Sequence, residues 1–358
     1  MAFPLLLLGA CAQASTPTED LRGAEPGEVR VSANWAYGCD NTLRCHAVSL
    51  AGHEEGDWDG SLQLLIELPA PGEKGEAMLQ VVPSAGMDDF AEEAEFHPQD
   101  VVAFRIHGKR FTLDDIDEDM GSETPLVRFI LPDDAARAMA GAREIELLTA
   151  KGESAGFVQT RLLGDVLEHF RTIWENARPH PLPVLDHPAP PLFDPQAESF
   201  FSAEMAVEWQ RKAGCPELEA QLEIRPLAYR IAPLDRTHSL ALVSCAGAWG
   251  DDQETSWFIP LLLTEGKASP AQFAGLPWQP SIATLPLLPD SWLEDETGIL
   301  HSFATMRTLG DCGERRDYVW QPETARFELV RIEEMPTCRG AGEWIRTYYR
   351  PSSMEIRD

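Results

Sequence analysis

The sequence predicts a mainly β protein (β-rich α+β) with two antiparallel-sheet domains stapled by disulfides and few short helices. Three observations predict this class. Short runs rich in apolar and β-branched residues alternate with turn-forming segments along the chain. Six of the seven cysteines follow the N-terminal segment, and an even number in an exported chain is typical of a disulfide framework. The alternating strand–helix units of a doubly wound sheet are absent from the first 150 residues.

The first half of the chain predicts seven strands and two helices. The strands are expected at 29–37, 45–50, 61–68, 78–82, 101–106, 126–131 and 143–149. A helix is predicted at 133–140, where Asp133 and Asp134 place negative charge at its N-terminus. A second helix is predicted at 163–176, because its apolar residues repeat with a period of 3.6 and so share one face.

A proline-rich stretch divides the chain. Such a segment forms neither a helix nor a central strand, so we interpret it as an extended, stiff connector. Beyond it, a helix is expected at 201–213 and strands at 220–231, 238–245, 255–263, 317–320 and 326–333. The predicted organisation is a signal segment (1–20), an N-terminal β-rich domain (28–178), the proline-rich linker (179–196) and a C-terminal β-rich domain (197–350).

The first residues predict export. Leu5 to Leu8 form a short apolar run followed by small residues, which is typical of a signal peptide, although no basic residue precedes the run. Leu8-Gly9-Ala10-Cys11 fits a lipoprotein signal with Cys11 acylated, whereas Ala12-Gln13-Ala14 fits ordinary cleavage that discards Cys11. We favour acylation, with Ala12 directing the protein to the outer membrane. The expected location is the periplasm or the periplasm-facing outer membrane.

The six remaining cysteines predict three disulfides. A hairpin centred on Thr42 places Cys39 opposite Cys45. Residues of a hairpin that turns near residue 325 pair with a constant index sum, which places Cys312 opposite Cys338. Cys215 and Cys245 are then paired by elimination. Buried free thiols and a metal site are the alternatives, although the chain has no Cys-x-x-Cys motif.

The formal net charge of −30 argues against nucleic acid as a partner, because phosphate groups would be repelled. Membrane contact is expected only through the lipid anchor. No phosphate-binding loop or dinucleotide motif occurs, so no cofactor is predicted.

One motif resembles a catalytic site. Gly152-Glu153-Ser154-Ala155-Gly156 fits the G-x-S-x-G pattern of serine hydrolases, in which a strand-to-helix turn exposes the nucleophile. Phe157 to Thr160 is typical of a returning strand instead, so we favour a turn between two strands. A periplasmic hydrolase that uses Ser154 is the alternative.

Two clusters of charged residues, one acidic and one basic, are further candidates for binding sites. Asp115, Asp117 and Asp119 alternate as in a calcium loop, but Met120 and Leu126 occupy the positions that an EF-hand needs as Gly and Glu. A solvated acidic loop is therefore the favoured interpretation. Arg315, Arg316 and Arg339 could gather around a carboxylate or a sugar acid, although ion pairs with neighbouring acids are expected to occupy them.

Several segments resemble a family of exported bacterial proteins, domain of unknown function 1176. They are Trp35–Cys45 (WAYGCDNTLRC), Cys245–Trp249, Gly310–Gly313, Tyr318–Trp320, Arg326–Leu329 and Cys338–Gly340. The cysteine segment at 35–45 also resembles invasion-associated locus B proteins. The resemblance spans about residues 29 to 350 and is loose between 50 and 200, where the family's Asp…Gln-Gly-Arg segment is missing. It implies a periplasm-facing location and disulfides, and it implies no chemistry.

The sequence therefore predicts an uncharacterised cell-envelope lipoprotein with a non-catalytic binding or structural role. Its expected partner is an envelope protein or polymer. A calcium-stabilised binding module is a further alternative.

Overall fold

The computed structural model describes residues 26–50, 62–73, 77–83, 98–118, 127–187, 200–215, 229–245, 256–276, 287–307 and 310–353. These residues form four antiparallel sheets with few helices, which confirms the predicted mainly β class. Cys11 and the signal segment lie outside the described residues. Within the described ranges, no helix has the length and apolar character needed to cross a membrane.

Two sheets and two helices make up the N-terminal half. In chain order the elements are β1 (Arg30–Ser32), β2 (Trp35–Cys39), β3 (Cys45–Ser49), β4 (Leu62–Leu68), β5 (Met78–Pro83), β6 (Val101–Ile106), β7 (Lys109–Thr112), β8 (Asp114–Glu118), β9 (Val127–Ile130), α1 (Asp133–Ala140), β10 (Glu144–Thr149), β11 (Ser154–Gln159) and α2 (Leu163–Asn176). The first sheet has the order β1-β2-β3-β4-β5-β9-β8 and the second has the order β11-β10-β6-β7. Both helices occupy the residues predicted for them.

One core joins these elements. Trp35, Phe104, Phe129 and Phe170 are among its fully buried side chains, and they come from both sheets and from α2. The apolar stripe that predicted α2 is the face that this helix buries, since Leu163, Val166, Phe170 and Ile173 are all inaccessible. Burying such side chains contributes roughly 1.5–3 kcal/mol each.

Two further sheets and one helix form the C-terminal half. The elements are α3 (Ala203–Ala213), β12 (Tyr229–Pro233), β13 (His238–Cys245), β14 (Trp257–Thr264), β15 (Lys267–Pro270), β16 (Leu288–Pro289), β17 (Trp292–Leu293), β18 (Ile299–Thr305), β19 (Gly313–Gln321), β20 (Arg326–Met335) and β21 (Ile345–Tyr349). The third sheet has the order β12-β13-β14-β15, with β16 also paired to β14, and the fourth has the order β17-β18-β19-β20-β21. The sequence patterns did not predict β15 to β18 or β21.

The structure contains the three predicted disulfides. Cys39 faces Cys45 directly across the β2–β3 hairpin, with a Cα–Cα distance of 4.0 Å. Cys215 follows Gly214, whose left-handed backbone ends α3, and its bond to Cys245 ties that helix to β13. Cys312 bonds to Cys338 just beyond the last paired residues of β19 and β20, so these two cysteines are not directly opposite.

The proline-rich connector is fixed to both halves where it is described. Leu185 exchanges two backbone hydrogen bonds with the chain end, donating to Pro351 and accepting from Ser353. His180 donates its backbone N–H to the carbonyl of Asn41, in the first cysteine hairpin. The described residues of the connector, 179–187, form no helix and one isolated bridge, between Leu185 and Ser352, and the domain division drawn at 179–196 stays a prediction.

The acidic segment near residue 115 differs from the expected loop. Asp115 and Asp117 lie in β8, which pairs with β9, and Asp119 lies outside the described residues. The alternation of Asp115, Ile116 and Asp117 has a two-residue period, which is the period of a strand as well as a feature of calcium loops.

Candidate functional site

An aspartate next to the first disulfide and another next to the third disulfide are fully buried, and each pairs with an arginine. Asp40 follows Cys39, and its Oδ1 accepts from the backbone N–H and the hydroxyl of Thr42 at 2.8 and 2.6 Å. Its Oδ2 accepts from Nε of Arg346 at 2.7 Å. The carboxylate therefore closes the turn of the hairpin and receives a countercharge from β21.

Asp311 repeats this arrangement beside Cys312. Its Oδ1 accepts from Nε of Arg307 at 2.7 Å, and its Oδ2 accepts from the backbone N–H of Gly340 at 2.7 Å. Because buried carboxylates require such partners, Asp40 and Asp311 are structural groups that fix the cysteine loops. Asp311 also lies close to both sulfur atoms of the third disulfide, whose bond leaves no thiolate for a metal.

The predicted arginine cluster does not form. Arg315 and Arg316 are neighbours in β19, so their side chains lie on opposite faces of the sheet. The guanidinium of Arg315 lies 4.9 Å from the ring of Phe303 and 4.7 Å from that of Trp344. Arg316 pairs with Glu314 at 2.6 Å.

Arg339, the third arginine of the predicted cluster, binds the turn between β1 and β2. Its guanidinium donates to the backbone carbonyl of Ala33 and, at 3.2 Å, to the side chain of Asn34. The contacts described for the three arginines are thus with different groups: aromatic rings for Arg315, Glu314 and Tyr318 for Arg316, and the β1–β2 turn for Arg339.

Ser154 is not at a strand-to-helix turn. It is the first residue of β11 and lies opposite Leu148 of β10, so the glycine motif forms a hairpin turn. The next helix, α2, begins only at Leu163. The described backbone therefore lacks the strained elbow that makes such a serine a nucleophile.

A set of polar and aromatic side chains crosses the whole fourth sheet and forms the strongest candidate site. Its members are opposite one another on successive strands, so they lie on one face. We call this set the cross-strand row; it consists of Trp292, His301, Asp317, Arg331 and Tyr349.

The first four side chains of the row, from Trp292 to Arg331, contact one another in sequence. The ring of Trp292 stacks on that of His301 at a centroid distance of 4.9 Å. Nδ1 of His301 lies 2.8 Å from Oδ1 of Asp317, whose Oδ2 lies 3.6 Å from Nε of Arg331. Such a chain of contacts holds each side chain in one orientation, which reduces the entropy lost when a ligand binds.

Carboxylates lie on both sides of the imidazole. Nε2 of His301 is 3.7 Å from Oε2 of Glu294, and Nδ1 faces Asp317. The pairing with Asp317 orients the ring as in a catalytic dyad, but the described residues place a carboxylate rather than a hydroxyl beside Nε2. The arrangement suits hydrogen bonding better than nucleophilic catalysis.

Solvent reaches the outer end of the row. Trp292 is 43% exposed, whereas Asp317 retains 15% of its side-chain exposure. An exposed indole above a fixed set of donors and acceptors is typical of a binding surface, because the ring supplies apolar area at low entropic cost. Sequence analysis missed the row, since its members come from five strands.

Comparisons with known proteins agree with the resemblance seen in the sequence. The family model described as "Protein of unknown function (DUF1176)" matches residues 180–351. No curated protein matches the chain. Among solved structures, the crystal structure of invasion associated protein B from Bartonella henselae matches at 10% identity with a TM-score of 0.31, covering 42% of this chain and 99% of that chain. The family model thus covers the C-terminal half, including the whole cross-strand row and two of the disulfides, whereas the resemblance was expected to extend over about residues 29 to 350.

Proposed function

We propose that this is an exported cell-envelope protein that faces the periplasm, is anchored by a lipid on Cys11, and has a non-catalytic binding role. The observation that supports export is the set of three disulfides. Cys39, Cys45 and Cys312 are completely buried, and Cys245 is nearly so. Disulfides of this kind form and persist in oxidising compartments such as the periplasm.

Cell fractionation combined with alkylation of free thiols tests export. We expect the native protein in the envelope fraction, with no alkylated cysteine unless a reductant is added first. The intact mass then separates an acylated Cys11 from a chain that begins at Ser15. A cytoplasmic protein with alkylated cysteines would refute the proposal.

The cross-strand row supports the binding role. Its outermost member, Trp292, is exposed, and the members behind it are held by one another. The proposed binding partner is an envelope protein or polymer, because the row combines the apolar indole ring with hydrogen-bond donors and acceptors, including a carboxylate and a guanidinium.

A photo-crosslinking amino acid tests the site in intact envelopes. Placed at Trp292, it should capture a defined partner. The matched control is Val184, another exposed apolar residue, which lies in the connector. Equal capture from both positions, or none from position 292, would remove the row as the binding surface. A fluorophosphonate probe distinguishes a hydrolase from a binding protein, since we expect it to leave Ser154 unlabelled.

A further inference from the structure

A cavity of about 630 Å³ lies on the outer face of the second sheet and contains no residue of the cross-strand row. Its floor comes from β6, β10 and β11, and the β6–β7 turn and the loop after α1 form its sides. The turn is tight, because His107 and Gly108 both have a positive φ. The volume is within the range of roughly 300–1,000 Å³ that is usual for small-ligand sites.

The two glutamates of the cavity already have partners. Oε2 of Glu146 accepts from Arg105 at 2.7 Å, and Oε2 of Glu144 accepts from the side-chain amide of Gln159 at 3.3 Å. Arg143 is different, because its guanidinium has no ion-pair partner among the residues that the structure describes. Because both glutamates bind other groups and Arg143 is exposed, the carboxylate of a ligand can reach its planar guanidinium.

Phe157 supplies an apolar surface in the same cavity. It lies opposite Glu146, which in turn lies opposite Arg105, so these three side chains share the outer face of the sheet. The ring of Phe157 is 57% exposed, although its strand neighbour Val158 is buried in the core. An isolated exposed phenylalanine is common on protein surfaces, but here the ring borders a cavity that also contains the unpaired arginine.

We propose that this cavity binds a sugar acid, with its carboxylate on Arg143 and its ring against Phe157. The planar guanidinium matches a carboxylate with two parallel hydrogen bonds. A carbohydrate ring has an apolar face that can pack against the phenyl ring of Phe157. Its hydroxyl groups can form hydrogen bonds with the polar side chains of the cavity, such as Glu144 and Gln159. A single carboxylate is a better fit than a polyanion, because the net charge of −30 repels densely charged polymers.

This site does not depend on the proposed function. The cavity lies outside residues 180–351, which match the family model, and it shares no residue with the cross-strand row. It would remain a binding site in a protein with another location.

Isothermal titration calorimetry, in which the full chain is titrated with each of three sugars, tests the proposal. N-acetylmuramic acid and N-acetylglucosamine share a ring, but only the first carries a carboxylate. We expect binding of N-acetylmuramic acid and at least tenfold weaker binding of N-acetylglucosamine. Glucuronic acid carries its carboxylate on the sugar ring itself. If it binds as tightly as N-acetylmuramic acid, the site accepts sugar acids in general; if it binds more weakly, the site prefers the lactyl group of N-acetylmuramic acid.

Variants assign the binding to the cavity. Arg143→Gln should weaken binding of N-acetylmuramic acid by about 10- to 100-fold, as expected for the loss of a charged hydrogen bond. Arg143→Lys should give an intermediate loss, because the charge remains but the paired geometry is removed. Arg137→Gln, which changes an exposed arginine of α1, should bind as the wild type does. Unchanged affinity in Arg143→Gln, equal binding of both acetylated sugars, or no binding of any acid would overturn the proposal.

Discussion

The buried ion pair between Asp40 and Arg346 gives the most quantitative prediction. Asp40 has no exposure, and Arg346 retains 15% of its side-chain exposure. Replacing Arg346 with Met leaves an unpaired carboxylate inside the protein, which typically costs about 3–5 kcal/mol. Two hydrogen bonds from Thr42 remain, so we expect a loss near the lower limit of this range.

Urea denaturation at neutral pH with intact disulfides measures this loss. The double variant Asp40→Asn/Arg346→Met removes both charges, so it should lose less free energy of unfolding than the sum of the two single variants. Arg171→Met is the control, because Arg171 and its partners Glu168 and Glu175 are exposed surface groups, and such pairs contribute about 0–1 kcal/mol. A loss below about 1 kcal/mol in Arg346→Met, or additive single losses, would refute the argument from burial.

Three further predictions follow from buried groups, close backbone contacts and the disulfides. Burial, followed by the charge of a neighbouring arginine, lowers the pKa of His46 to about 3, so the unfolded chain takes up this proton first. Stability should therefore fall as the pH drops from about 6.5 to 3, and His46→Leu should flatten that part of a pH–urea profile. Gly313→Ala should abolish the fold or lower the Tm sharply, because its Cβ would lie 1.9 Å from a backbone oxygen. Gly72→Ala is the control, because its Cβ meets nothing within 4 Å; calorimetry should show a loss of only about 1–2 kcal/mol in the free energy of unfolding, from the positive φ. Replacing Cys215 and Cys245 together with Ala should cost about 3.5 kcal/mol from the loop of 30 residues, and a loss below about 1 kcal/mol would contradict the loop-entropy model.

Local patterns predicted the elements that local physics determines. The helix at 163–176 follows from its apolar period, and the pairing of Cys39 with Cys45 follows from a six-residue separation. Among the strands that were not predicted, β16 and β17 contain only two residues each. Short strands carry too few residues for a two-residue period to be visible.

The sites depend on contacts that no local pattern contains. Arg346 lies 306 residues from Asp40, and the cross-strand row requires the register of four strand pairs. Arg307 was within reach of sequence reasoning, because it precedes Asp311 by only four residues. Residues 315 and 316 are adjacent in sequence, but neighbours in a strand have side chains on opposite faces of the sheet, so their proximity does not predict a shared site.

The contact between the first hairpin and the last strand has a consequence for how the molecule is made. Asn41 donates to the carbonyl oxygens of His180 and Tyr349 and accepts from the N–H of Tyr349, so it joins the start of the connector to the end of β21. Ala36 and Val48 share a buried cluster with Trp344 and Ile345. During synthesis, the first hairpin emerges long before the strand that covers it, and such distant contacts form late in folding. A chain that ends before β21 would expose this apolar surface, so incomplete chains should be open to proteases and aggregation in a way that the finished protein is not.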